Sequence, residues 1–407
     1  MVIVAAVRST RIDRLIPNDD SLLPFEEATV PNLADKDIEA ILEVLEREKR
    51  LGVLLGMSRS ERVKVFKDLA GRQLIVAMIE ATSGEKFEER LHSELSELAA
   101  DARLAYALVA TATHARFALH REDIMVAMGL SNNEVLNTLN SLVARGVLTE
   151  NPTTRSLRAR HRVVAEVLHN ELEKEGLLAE VYAKLAFLSA TKIGPNMQEK
   201  SKWWRFNRYI MSHDRCLRLM TLNEAHMIFN DLEEALGWSH HFWLQRGALE
   251  LEVGDLRLAQ NWLEQARALA PNDGFVLTEY AYFRFRLANE QPANTRASEY
   301  VDEAVAMLEH QIEMRGKLNP YPYHILGKEG LVWASIAGLA KDEKREFLRR
   351  IKGSLDEGRK LHPRNDKIAE IYKGVELALW HTFVPGAGRS QGQVPSDTGG
   401  QQAAPQE

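Results

Sequence analysis

The 407-residue chain has a single cysteine, Cys216. One thiol rules out an intramolecular disulfide and any multi-cysteine zinc cluster, so a reducing, cytoplasmic compartment is its natural home. Cys216 itself reads as a small, half-buried hydrophobe. Charge of one sign is also lacking: 52 Lys+Arg against 58 Asp+Glu leave a net charge of -6. That balance argues against broad attraction to nucleic acid or an anionic membrane, and any such contact must be local. No long apolar run occurs. Met1-Val2-Ile3-Val4-Ala5-Ala6-Val7 is far too short to span a bilayer and lacks a basic leader, so no membrane partner is expected. A Gly-x-x-x-x-Gly-Lys-[Ser/Thr] phosphate loop is absent, as is a strand ending in paired acids that would hold magnesium. Leu326-Gly327-Lys328-Glu329-Gly330 lacks both the first glycine and the hydroxyl. No Ser/His/Asp or Cys/His set falls on elements that would converge. His240 and His241 are strict neighbours, not the i, i+4 pair a helical metal site needs. The chain is therefore expected to have no catalytic residue, no metal site and no enzymatic activity of its own.

What is present points to helices. The composition, 45% hydrophobic and 27% charged, can bury real cores, and the length predicts two to four packed units. Residues 1–34 read as one buried strand at the N-terminus followed by a proline-bearing loop, as if the sequence began inside a larger domain. From Asp35, the residues Ile38, Ile41, Leu42 and Leu45 recur at i, i+3, i+4, i+7, one face of a helix. Ser58-Arg59-Ser60-Glu61 has capping-box spacing and should open a second helix ending near Gly71. The segment Gly71 to Thr82 is almost wholly apolar and is closed by Ser83-Gly84. These helices make a small bundle over 35–96.

Residues 97–176 change rhythm. Helices are expected over Ala100 to Thr113, over Leu119 to Met128, and from a second capping box at Ser131-Asn132-Asn133-Glu134, with Val135, Leu136, Leu139, Leu142 and Val143 inward. Val147-Leu148-Thr149 and Ser156-Leu157-Arg158-Ala159-Arg160 then flank the turn Asn151-Pro152-Thr153-Thr154 as a hairpin. Three helices and a hairpin in that order form a winged-helix arrangement. A helical connector is expected over 177–236. Within it, Trp203, Trp204, Phe206 and Tyr209 interleave with Lys202, Arg205, Arg208, Arg215 and Arg218. That mixture can stack on single-stranded nucleic acid, or it can be the core face of a helix with snorkelling cations, the reading preferred here. Residues 385–407 are too poor in apolar groups to offset their ordering entropy, which predicts a disordered tail.

The sharpest pattern lies in 237–384. In a 34-residue frame starting at His240, Trp243, Gly247, Ala259, Leu263, Ala266 and Pro271 fall at positions 4, 8, 20, 24, 27 and 32, matching the tetratricopeptide (TPR) repeat. Small residues at 8, 20 and 27 let two helices approach, bulky ones at 4 and 24 fill the space, and the proline ends the second helix. A second frame begins near Gly274 with Ala281 at position 8. A third is suggested by Ile325 to Ala337 and by Leu355 to Asp366, where Leu361-His362-Pro363-Arg364-Asn365-Asp366 echoes Ala270-Pro271-Asn272-Asp273. Stacked hairpins of this kind form a mainly α solenoid whose concave face is open to a protein ligand. Self-assembly of the chain is left open.

An N-terminal strand ending in arginines, a helical lid bundle, a winged helix and TPR-like repeats, in that order, resemble the C-terminal part of bacterial STAND-type P-loop NTPases, the group that includes NACHT and NB-ARC proteins. Val30-Pro31-Asn32-Leu33-Ala34-Asp35-Lys36-Asp37-Ile38 and Ala70-Gly71-Arg72-Gln73-Leu74-Ile75-Val76-Ala77-Met78 look like the linker and lid of such proteins. The resemblance covers residues 1 to about 176 as an architecture. It implies that Arg8, with Arg11 second, senses a terminal phosphate, that Arg72 opens the helix meeting adenine, and that His161 contacts a bound diphosphate. The family's Gly-x-Pro is missing at Gly71-Arg72. His161 can equally cap a helix, and Arg8 and Arg11 can be solvated loop arginines. ADP or ATP would bind only if an upstream nucleotide-binding segment completed the chain, whose setting would be signalling or antiviral defence. The alternatives are a winged-helix DNA-binding regulator with a TPR sensor and a plain TPR adaptor. The expected groove-reading helix, Ser131 to Ala144, carries Glu134 and no Lys or Arg, which argues against nucleic acid; Arg158, Arg160 and Arg162 keep that alternative open.

Overall fold

The helix over Asp35–Arg47 (α1) forms as the periodicity predicts: Ile38, Leu42 and Leu45 are buried while Glu39 and Glu43 face out. A short turn at Gly52–Gly56 adds Leu51 and Leu54 to the same small core. Helix α2, Arg59–Asp68, starts at the expected capping box. The Ser58 amide donates to Glu61 Oε2 at 2.7 Å and the Glu61 amide to Ser58 Oγ at 3.4 Å. The Ser58 hydroxyl, donating to Glu61 Oε2 at 2.6 Å, and then the Ser58 amide hold the Glu61 carboxyl below its ordinary value. The computed structural model describes residues 35–49, 51–68, 87–130, 132–197 and 201–383. The expected strand at 1–7, the loop at 12–34, the segment Gly71 to Thr82, Ser131 and the tail from 385 lie outside them.

The chain divides into two compact units between Pro271 and Asn272. The division falls inside the block 237–384 that the repeat pattern outlines. In the first unit, α3 (Phe87–Ser96) packs on α7 (Arg162–Lys174) within a winged-helix arrangement. The arrangement runs α4 (Ala100–His114), β1 (Leu119–His120), α5 (Arg121–Met128), α6 (Asn132–Ala144), β2 (Leu148–Glu150), β3 (Ser156–Ala159) and α7. The sheet order is β1-β3-β2, antiparallel throughout, with Leu119 opposite Leu157 and Leu148 opposite Ala159. Thr113 ties α4 to this sheet, its hydroxyl accepting the Ala159 amide at 3.1 Å and donating to the Val109 carbonyl at 2.7 Å. The sequence placed Leu119 in a helix. Instead, the Asp123 carboxylate accepts the His120 amide at 2.9 Å, so α5 begins at Arg121 and Leu119 takes a cross-strand partner. A strand of two residues is too short to show a period of its own.

The connector folds as α8 (Leu178–Thr191), α9 (Lys202–Ile210), α10 (His213–Leu219) and α11 (Leu222–Leu236). A further capping box opens α11: Thr221 and Glu224 exchange amide bonds at 2.7 and 3.3 Å. The first helix pair, α12 (His240–Val253) and α13 (Leu256–Leu269), then packs as the repeat frame requires. Ala259, Leu263 and Ala266 are fully buried, and a Cβ on Gly247 would sit 2.7 Å from Leu263 Cγ. Only a residue without a side chain fits there. Trp243 stacks on Trp262 with centroids 5.2 Å apart.

The second unit holds α14 (Gly274–Glu290), α15 (Ala297–Arg315), α16 (Tyr321–Ile336), α17 (Lys341–Leu361) and α18 (Asp366–His381). α14 pairs with α15 and α16 with α17, while α14, α16 and α18 pack side by side. The third repeat closes with the same contact as the first: a Cβ on Gly327 would lie 3.1 Å from the Leu355 methyls and 2.5 Å from Ile371 Cγ2. Gly327 is thus the small residue at which α16, α17 and α18 meet. The protein is mainly α, with a winged-helix arrangement in one unit and packed helix pairs in both.

Candidate functional site

Two surfaces carry the residues that the sequence singled out. The first is the end of the winged-helix arrangement. His161 has an extended backbone at φ -153 and caps α7, its Nδ1 accepting the Val163 amide at 3.2 Å. The ring is exposed and its Nε2 has no partner among the described residues. Arg8, Arg11 and Arg72, the other residues expected near a nucleotide, lie outside the described residues. If capping is what His161 contributes, His161→Ala should cost about 1 kcal/mol in urea denaturation, while His161→Asn, which keeps a side-chain acceptor, should cost little. An unchanged midpoint in the alanine variant would remove the capping role.

The cations around this end are largely engaged. Arg160 pairs with Glu94 at 2.8 Å, and the same carboxylate accepts the Tyr106 hydroxyl at 3.1 Å. Arg121 grips both oxygens of Glu150 at 3.0 and 2.8 Å and also donates to Asn140 at 2.8 Å. That bidentate bond holds the Glu150 carboxyl below its usual range. The outer face of α6 presents Asn133, Glu134, Asn137, Asn140 and Ser141, none of them basic. Arg158 on β3 is the exposed cation on the wing without an ion pair among the described residues. A face of this composition can neutralise few phosphates.

The aromatic and basic segment is core. Trp204 and Phe206 are buried, and Trp204 stacks on Trp238 with centroids 5.7 Å apart. Trp203 packs on Phe117 at 4.6 Å beneath Lys192 and Lys202. The Arg215 guanidinium lies 3.7 Å over the Tyr209 ring. The ring faces that a base would need are already covered. Cys216 is buried, and burial pushes its thiol up to about 12. His241 is buried against Trp204, and burial, followed by the nearby charges of Arg208, His240 and His213, pushes it down to about 3. Among the described residues no group of three His, Cys, Asp or Glu could hold a metal ion.

The structure also brings together groups that lie far apart in the chain. His114 and His169 face each other with ring centroids 4.4 Å apart, and His169 Nε2 is 3.3 Å from the Tyr182 hydroxyl. Burial, with His114, Arg218 and Arg215 nearby, drives His169 down to about 4. His226 pairs with the buried Glu250 at 2.9 Å, and burial raises the Glu250 carboxyl. No spacing in the sequence announces either pair.

The second surface is where α14 faces α16. Asn289 donates to Glu329 Oε2 at 3.0 Å, and the Glu329 carboxylate is almost wholly buried. Arg286 reaches the Tyr282 hydroxyl at 3.3 Å and Glu290 at 3.4 Å. Asn289 Oδ1 is buried without a hydrogen-bond partner. That acceptor and the Glu329 carboxylate are both enclosed between the helices, which leaves Arg286 as the more exposed charged group. The Leu326-Gly327-Lys328-Glu329-Gly330 stretch, which fails as a phosphate loop, belongs to this surface as part of α16. No family model, no curated protein and no solved structure matches this chain.

Proposed function

We propose that this chain is the regulatory and protein-recognition part of a cytoplasmic STAND-type signalling or defence NTPase. On this reading the helix pairs bind a protein trigger, and the winged-helix arrangement controls a nucleotide switch completed by an upstream segment. The chain itself performs no catalysis, and ADP or ATP belongs to the completed protein, with His161 touching the diphosphate. The observation that carries the reading is the α14/α16 surface: side-by-side helices with Arg286 at their face and the buried Glu329 tied to Asn289 between them. Supporting it further, the α6 face carries no cation, which disfavours a DNA-reading role.

The test joins the chain to the segment encoded directly upstream and measures ADP retained through purification. His161→Asn should keep the α7 cap and lower retention at least about tenfold, equivalent to the loss of one hydrogen bond to a charged group. Absence of ADP in the parent protein would leave a plain TPR adaptor. Filter binding of the same protein to duplex DNA decides the other alternative. Nanomolar affinity falling steeply with salt would overturn the proposal in favour of a DNA-binding regulator.

A further inference from the structure

One edge of the second unit combines exposed cations with exposed apolar tips. The loop after α15 and the turn between α17 and α18 lie side by side. His362 Nε2 donates to the Gly316 carbonyl at 2.6 Å, and His324 Nε2 meets Asn365 Oδ1 at 3.1 Å. The start of α14 reaches the same edge, since a Cβ on Gly274 would lie 3.2 Å from Arg315 Nη1. These bonds gather Arg315, Lys317, Arg359, Lys360, Arg364 and Lys367 against Glu313, Glu357, Asp366 and the capping Asp273.

Several cations elsewhere in this unit are paired: Arg284 with Glu303, Arg350 with Glu309, Arg345 with Asp342 and Lys352 with Asp356. On the edge, Arg315, Lys317, Lys360 and Lys367 are exposed and make no ion pair among the described residues. Between them protrude Leu318, 77% exposed, and Met314, 66% exposed, with Phe275 at 45%. No other large hydrophobic among the described residues matches Leu318 in exposure.

We propose that this edge docks the protein onto an anionic lipid surface, with Leu318 and Met314 entering the headgroup layer and the surrounding cations meeting lipid phosphates and carboxylates. Charge complementarity selects an anionic partner. The form of the apolar groups selects lipid over an acidic protein: they are protruding tips on a loop and a helix end, and a fluid interface closes around such tips where a folded partner would need a matching pocket. The attachment is peripheral, because no helix among the described residues is long and apolar enough to cross a membrane. The unpaired cations also meet the requirement, set by the near-neutral composition, that any such attraction be local. The inference is independent of the nucleotide reading, since its readout involves no nucleotide.

The experiment is co-sedimentation of the full chain with phosphatidylcholine vesicles, with and without about 30% phosphatidylserine. Binding is expected on the anionic vesicles alone. Lys317→Ala with Lys360→Ala should weaken it about 25-fold, or about fivefold for each cation removed. Leu318→Ser with Met314→Ser, exposed and neutral changes that leave the fold intact, should weaken it at least about tenfold through lost apolar insertion. Equal binding to neutral vesicles overturns the proposal, and so does no sedimentation at all. Charge variants that lose binding while the serine variants keep it would mark a site for a soluble acidic partner. Capture by immobilised polyglutamate without vesicle binding would do the same.

Discussion

Gly247→Val is expected to destabilise the 35–271 unit by about 2 kcal/mol in urea denaturation. Two effects oppose each other. Glycine in a helix interior costs roughly 0.5–1 kcal/mol relative to residues with a Cβ, so any replacement gains something in the unfolded chain. Against this, the new Cβ would meet Leu263 Cγ at 2.7 Å and the Leu263 backbone nitrogen at 3.1 Å. A backbone atom cannot rotate away, so α12 and α13 must separate, and overpacking of this sort costs about 1–3 kcal/mol before contacts to Trp262 and Ala259 loosen. Leu263→Ala alone should cost about 3 kcal/mol by leaving a cavity in a fully buried site. The decisive measurement is the double variant Gly247→Ala with Leu263→Ala. Each change relieves the other, so its cost should fall at least about 1 kcal/mol below the sum of the single variants. Strict additivity would show that the glycine is not there for close approach.

Acid should weaken the same unit well above the pH at which its ordinary carboxylates protonate. His169 sits at about 4 and His241 at about 3, both depressed first by burial. An unfolded histidine titrates near 6.5. Between 6.5 and the folded values the unfolded chain binds more protons, so stability is full at neutral pH and drains as pH falls through that window. Between pH 7 and pH 5 each histidine should withdraw about 2 kcal/mol. His114, also lowered by burial, acts in the same direction. Glu250 acts the other way, because burial raises its folded value and its contribution is lost on raising the pH. Denaturation at the two pH values should show the parent losing about 4 kcal/mol and His169→Gln losing about 2 kcal/mol less than the parent. An equal loss in both proteins would place the acid sensitivity elsewhere.

Features decided by a residue's neighbours along the chain are legible in the sequence. Ser58 with Glu61, the inward face of Ile38, Leu42 and Leu45, and the hairpin turn at Asn151, whose Oδ1 accepts the Thr153 and Thr154 amides at 2.9 Å, are all local arrangements. The repeat frame was legible for the same reason, since Gly247, Leu263 and Ala266 belong to one pair of adjacent helices. Features that a distant partner decides are not legible in this way. Leu119 became a strand because Leu157 lay opposite it. Gly327 lies in the third unit expected over Ile325 to Ala337, but its contact with Ile371 of α18 comes from a helix outside the α16/α17 pair. The histidine pair His114 and His169, the buried Glu250 and the cationic edge depend on helices meeting across the fold, and no period in the chain encodes them.

The glycine and leucine that lock each helix pair have a consequence for how the protein is made. In α12 and α13, and again in α16 and α17, the two partners are near neighbours along the chain. Their meeting needs no distant segment, and closing so small a loop is fast. As the ribosome delivers the chain from its N-terminal end, the α12/α13 pair can close before α16 has been synthesised. Apolar stripes that would invite aggregation are thereby sheltered one pair at a time during synthesis.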